Sequence, residues 1–168
     1  MALTTIPAAG AKLRGSVLNS LITEVRQVSA IKTADESVTS SAVLQNDDVL
    51  TVALEASARY KFGLFLRYDA VAASDIRTQM SLPASATAFY TADGVPVAGT
   101  AFSLFDAIES TLFIFEGAGA GSIRNVTFIG HILTSTAGSA TLQWAQGTSG
   151  GTATIVKAGS MLWAERLS

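Results

Sequence analysis

One histidine, no cysteine and a scatter of carboxylates are the whole stock from which this 168-residue chain could build a reactive centre. His131 sits in Phe128-Ile-Gly-His-Ile-Leu133, a run of strand-forming residues. It reads as a hydrogen-bonded strand histidine rather than a general base. No catalytic triad assembles around it, and one imidazole without thiolates leaves no nitrogen or sulfur set for zinc. Asn46-Asp47-Asp48 lacks the spaced oxygen ligands and the glycine of a calcium loop, and reads as a solvated polar turn. The glycine-rich stretch at 117–122 lacks the Lys-Ser or Lys-Thr of a phosphate loop and is followed by strand signal, so it reads as a hairpin loop. Asn125-Val126-Thr127 matches the glycosylation sequon, but it falls inside an expected strand with no secretion signal before it, and reads as a chance match. Trp144 and Trp163 could stack on sugars, yet both occupy alternating strand positions, where a packed core or a subunit seam is the default. A glycosidase would need a placed carboxylate pair, and none can be picked out. We therefore expect no enzyme, no metal and no cofactor.

The elements that would position any site change character near residue 28. Over residues 10–26 the apolar side chains Leu13, Val17, Leu18, Leu21, Ile22 and Val25 recur at threes and fours, which predicts one amphipathic helix. About 16 residues span only about 25 Å and are marginal as an isolated helix, with Gly15 weakening it further. The helix must pack on something: the body of the same subunit, the same helix in symmetry mates, or a separate protein. Beyond residue 28 the period falls to two. Short strands are expected near 28–34, 37–45, 49–56, 58–69, 74–82, 86–91, 102–106, 109–116, 122–136, 139–146, 152–157 and 160–167, a spacing that suits a sandwich or barrel. Tyr60, Phe62, Leu64, Leu66 and Tyr68 share one strand face, while Lys61, Gly63, Phe65 and Arg67 share the other; two partly apolar faces predict a central strand or one covered by a neighbour. Asp93-Gly94 reads as a turn, and Pro96 bars the run after it from a central position. The expected organisation is an N-terminal attachment arm over 1–28 and an all-β, jelly-roll-like antiparallel β-sandwich over 29–168.

Composition narrows the partners. Hydrophobic residues make up 49% and charged ones 14%, with mean hydropathy +0.40. That is greasy for a free monomer and points to burial between subunits. A net charge of −2 argues against nucleic-acid binding. No apolar run is long enough to span a membrane, and the start carries no signal-peptide pattern.

Three segments then carry a resemblance: Ala9-Gly-Ala-Lys-Leu-Arg-Gly-Ser-Val-Leu-Asn-Ser-Leu-Ile-Thr-Glu-Val-Arg26, Lys32-Thr-Ala-Asp-Glu-Ser-Val-Thr-Ser-Ser41, and Leu142-Gln-Trp-Ala-Gln-Gly-Thr-Ser149 with Val156-Lys-Ala-Gly-Ser-Met-Leu-Trp163. Together they resemble small virion proteins of tailed bacteriophages, particularly those of actinobacteria. The resemblance implies a non-enzymatic protein with a jelly-roll body, commonly trimeric, attached by its N-terminal region to the capsid or the tail. No collagen-like repeat or long heptad run is present, which disfavours an extended fibre. The expectation is a homotrimeric capsid decoration protein, made in the host cytoplasm and carried on the virion. Its arm would dock on the major capsid protein or another virion protein through Leu3, Ile6, Leu13, Val17, Leu18, Leu21, Ile22 and Val25. The alternative is a tail fibre or minor tail knob whose loops near 92–100, 117–122 and 147–152 bind a host-surface glycan.

Overall fold

Strict alternation between residues 58 and 69 makes one long strand with two different faces, and the sheets are built outward from it. The computed structural model describes residues 27–97, 103–108 and 110–167, with the side chains of 103–107 left aside. Among these residues there is no helix, and the strands are β1 (Gln27–Ile31), β2 (Glu36–Val38), β3 (Gln45–Leu54), β4 (Ala58–Asp69), β5 (Ile76–Ser81), β6 (Thr87–Gly94), β7 (Ser103–Ile108), β8 (Phe113–Phe115), β9 (Ile123–Thr134), β10 (Gly138–Gln146), β11 (Thr154–Val156) and β12 (Met161–Arg166). They form two antiparallel sheets packed as a β-sandwich. The larger runs β1-β12-β4-β9-β6-β7, with β11 joining β4 to β2, and the smaller runs β3-β10-β5-β8.

Every residue of β4 pairs with β9, from Ala58↔Thr134 to Asp69↔Ile123. As the alternation predicts, Tyr60, Phe62, Leu64, Leu66 and Tyr68 all point inward and are buried. They meet Leu50, Val52 and Leu54 of β3, Leu142 and Trp144 of β10, and Ile76 and Met80 of β5 in one continuous core. An aromatic cluster fills its wide end. Tyr90 lies 5.5 Å from both Phe62 and Phe128, and Phe113 stacks on Phe115 at 5.7 Å. Offset and edge-on pairs of this kind add to the burial itself.

Several turn expectations give way to tertiary pairing. Asn46, Asp47 and Asp48 are not a turn between paired strands: they lie inside β3, and Val43 before them is outside any strand and exposed. Asp93 and Gly94 end β6, paired with Leu104 and Ser103. Neither glycine-rich stretch closes a hairpin, because 117–122 carries the chain from β8 in the small sheet to β9 in the large one, and 147–152 carries it from β10 to β11 across the same gap. Pro96 makes only an isolated bridge to Phe115, consistent with its missing N–H. The predicted helix over 10–26 and all eight arm residues, Leu3 to Val25, lie outside the described residues.

The first and last strands break at the same level, between β1 and β2 and between β11 and β12. The breaks are tied together: the Lys32 N–H donates to Ser160 O (2.9 Å) and the Gly159 N–H to Lys32 O (2.8 Å). Gly159 has φ +85°, a conformation that favours glycine. The Lys32 side chain then turns inward to Asp47, 3.0 Å away and fully buried, and to Glu36. Asp47 is therefore no solvated turn residue; its Oδ1 also accepts the N–H groups of Val49 (2.9 Å) and Leu50 (2.7 Å). Burial opposes the charge on Lys32, but the Glu36 and Asp47 carboxylates outweigh it and hold the ammonium pKa above its ordinary value. Removing one member of a buried pair leaves the other charge uncompensated. Asp47→Ala is expected to lower stability by about 3–5 kcal/mol, read as a lower urea midpoint at unchanged slope, while the exposed neighbour change Asp48→Ala shifts it by less than about 0.5 kcal/mol.

Candidate functional site: the outer face of the large sheet

Residues that face away from the core on a solvated sheet are ordinarily polar. The small sheet mostly follows this rule, Val49 and Ile114, each 37% exposed, being its apolar exceptions. Thr51, Thr141 and Ser81 form one outer row, and Asn46, Gln143 and Gln79 the next. The Thr51 and Thr141 hydroxyls lie 2.8 Å apart, and the Gln143 side-chain amide donates to Asn46 (2.9 Å).

The large sheet breaks the rule. Cross-strand register aligns Ile31, Met161, Phe65 and Thr127 in one outer row. Ser29, Trp163, Gly63, Ile129 and Thr91 make a second, and Glu165, Lys61, His131, Phe89 and Ile108 a third. Ile31 is 54% exposed, Phe65 37%, Ile129 44%, and Phe89 and Ile108 each 55%. With strands about 4.8 Å apart and alternate residues about 6.8 Å apart, the tract measures roughly 24 Å by 14 Å. Its footprint is roughly 340 Å², shared between the apolar residues and the polar Ser29, Thr91, Thr127, Lys61, His131 and Glu165, and is comparable to the largest patch of an ordinary monomer.

Two contacts organise this face. The Trp163 indole lies across Gly63, where an added Cβ would come within 2.6 Å of the ring, so glycine is what allows the ring to lie flat. The Lys61 ammonium sits 5.8 Å from the Trp163 ring centroid, a cation–π geometry. His131, read from sequence as a strand histidine, lies in β9, exposed and tilted against the Phe89 ring at 5.4 Å. Of the two tryptophans, Trp144 is in the core and Trp163 is on this surface. Asn125 is exposed on β9, inside a strand as expected. Among the described residues no three His, Cys, Asp or Glu side chains are grouped to hold a metal.

The connections at 117–122 and 147–152 gather beside Ser74 and Asp75 at one end of the sandwich and are braced. The Gly117 N–H donates to Asp75 Oδ1 (2.9 Å) and the Gly121 N–H to both Asp69 oxygens. The Gln146 carboxamide spans the other loop, accepting from Gly150 (3.0 Å) and Ser41 (3.1 Å) and donating to Thr152 O (2.8 Å). Burial, helped by the nearby Glu116 charge, raises the Asp75 pKa, although the Gly117 N–H opposes the shift. At the opposite end a small groove of about 200 Å³ is lined by Val28, Leu54, Tyr60 and Arg166 among others, beside Gln27, where the described chain begins.

The apolar rows went unrecognised in sequence except on β4 itself, because they are assembled from six strands whose register no local pattern states. Gly63→Ala is expected to push the Trp163 indole off the sheet at a stability change of about 1 kcal/mol or less. With only two tryptophans in the chain and Trp144 in the core, the result is a red-shifted emission component assignable to Trp163. For Asp75 the folded pKa exceeds the unfolded one, so its stabilising contribution is present at low pH and is lost as pH rises through the folded value. Asp75→Asn keeps an acceptor for Gly117 and tolerates the left-handed backbone there (φ 55°). Its stability relative to the parent should therefore grow as pH rises above the ordinary carboxylate range, as followed by urea midpoints.

No protein-family model matches the chain, and no curated protein matches it. Among solved structures, the infectious bursal disease virus VP2 subviral particle is similar over 84% of this chain at 10% identity and a TM-score of 0.28. The Gx strain of the same virus is similar over 84% at 10% identity and a TM-score of 0.20. This chain spans 41% and 40% of those two chains. Scores this low give the likeness no weight for fold or function.

Proposed function

We propose that this chain is a non-enzymatic structural protein of a bacteriophage virion: a trimeric capsid decoration protein that docks through its N-terminal arm on the major capsid protein or another virion protein. The observation that carries the reading is the apolar outer face of the large sheet, a surface suited to a component of an assembly. The strand order supports a jelly-roll body. From β3 onward the chain steps small sheet, large, small for β3, β4 and β5, then again for β8, β9 and β10, and closes with β11 and β12 beside β4. That is the interleaving of two Greek keys, with the β6–β7 hairpin added at the β9 side. The resemblance of residues 9–26, 32–41, 142–149 and 156–163 to actinophage virion proteins supplies the phage and arm-docking parts of the reading.

The mechanism is linkage. A protein that binds only the assembled shell stabilises it by mass action, and three arms on one trimer add avidity. Contacts of standard size, about 800 Å² per partner, would make each attachment stable. The second reading, a tail knob that binds host-surface glycan, is favoured by the braced loops at 117–122 and 147–152, since rigid loops lose less entropy on binding. Quantitative mass spectrometry of purified virions separates the two. Hundreds of copies per particle, with shells that open at lower temperature when residues 1–26 are deleted, are expected for a decoration protein. A handful or a few tens of copies would sink that reading in favour of the tail knob.

A further inference from the structure

We infer that the outer face of the large sheet is a self-association surface, packed in solution against a second copy of this chain. The inference rests on the reading of the chain as an assembly component and names the partner of its apolar face.

The contrast between the two outer faces comes first. Thr51, Thr141, Ser81, Asn46, Gln143 and Gln79 give the small sheet an ordinary solvated surface. On the large sheet Ile31, Phe65, Phe89, Ile108 and Ile129 are exposed and contiguous. Both faces mix polar and apolar residues, but the large sheet exposes more and larger apolar side chains, whereas the small sheet adds only Val49 and Ile114, each 37% exposed. The β6–β7 hairpin widens the apolar side, because Phe89 and Ile108 pair across it and continue the row that β4 and β9 begin.

Area and charge then select the occupant. The tract alone covers roughly 340 Å². A stable interface of roughly 800 Å² per partner would have this tract at its centre and the polar surround as its rim. Its charges are mixed: Arg59, Lys61 and Arg67 stand on the outer side of β4, Glu165 is on β12 next to Lys61, and Asp93 is on β6. A surface steered toward a charged foreign partner would carry one sign. Mixed signs around an apolar centre let copies of this face gather about a symmetry axis without a like-charge penalty and give each cation an anion to find on a neighbouring copy. A chain with 14% charged residues and a net charge of −2 also has little else to keep such a face soluble while it waits for a different protein. Homo-oligomeric interfaces are the more apolar class, and a flat sheet face packs on another at about 10 Å.

The test is the solution mass of the full chain by sedimentation velocity over the micromolar range. The parent protein is compared with Phe89→Glu/Ile129→Glu on the apolar face and with Thr51→Glu/Gln143→Glu on the polar one, all checked for folding by circular dichroism. The parent should sediment as an oligomer, and the polar-face variant should match it. The apolar-face variant should remain folded and associate at least tenfold more weakly. A monomeric parent up to tens of micromolar overturns the inference and leaves residues 1–26 or a different protein as the cover. So does an apolar-face variant that keeps the parent mass, for instance because deleting residues 1–26 is what dissociates the oligomer. Where the apolar-face variant does lose its oligomer, a second copy number decides the other question: a protein absent from virions would remove the virion reading and leave self-association standing. Hundreds of copies per virion with an unchanged variant mass would do the reverse.

Discussion

Everything in this molecule hangs on the two-residue period of β4. Its twelve residues pair with β9 along their whole length and with β12 and β11 on the other side, so the direction of each β4 side chain fixes the row to which its neighbours belong. A slip of one residue would carry Lys61, Phe65 and Arg67 into the core and expel Phe62, Leu64 and Leu66. The energetic gap between those alternatives is the burial of five large side chains, each worth about 1.5–3 kcal/mol. The same register that builds the core therefore also lays out the apolar outer face.

The two ends of the sandwich solve a different problem, that of closing a sheet whose first and last strands are both broken. At one break Lys32 carries its charge into the protein, and its burial is tolerated only because Asp47 and Glu36 are there to meet it. Asp47 in turn holds the start of the long run of β3 through two backbone N–H groups. A buried ion pair contributes little net stability, but a wrong pairing would leave a bare charge inside, and that penalty favours one alignment of β1, β2 and β3 over its competitors. Nearby, the Ser160 hydroxyl accepts the Arg67 N–H at 3.0 Å and the Asp35 carboxylate meets Lys157, so the extra residues of the last strand are absorbed without orphaned backbone groups.

A β-sandwich does not dictate a function; its surfaces do. Here the two broad surfaces differ in kind. One is a hydroxyl and carboxamide ladder that water can cover, and the other is an aliphatic and aromatic tract ordered by Trp163 lying over Gly63. The rigid loops at one end and the entry point of the chain at the other are separated by the length of the sheets. The broad apolar face therefore lies clear of both ends of the sandwich.

Much of the architecture is written locally. The period of two, the Gly-rich connections and the apolar runs predict an all-β body with nearly the observed strand set, and the alternation at 58–69 predicts the central strand and its two faces, because side-chain alternation is a property of the extended backbone itself. Other features exist only once distant strands meet. Asp47 looks like a turn residue until Lys32 is brought beside it; Asp93 and Gly94 look like a turn until β7 pairs with them. The glycine-rich stretch at 117–122 looks like a hairpin loop until its flanking strands are assigned to different sheets. Ile31, Phe89, Ile108 and Ile129 each read as an unremarkable exposed residue on its own strand, and only the register between six strands turns them into one surface. Local composition determines which conformation a segment can adopt, but which residues become neighbours depends on a pairing energy summed over the whole sheet, and that sum is settled in the tertiary structure.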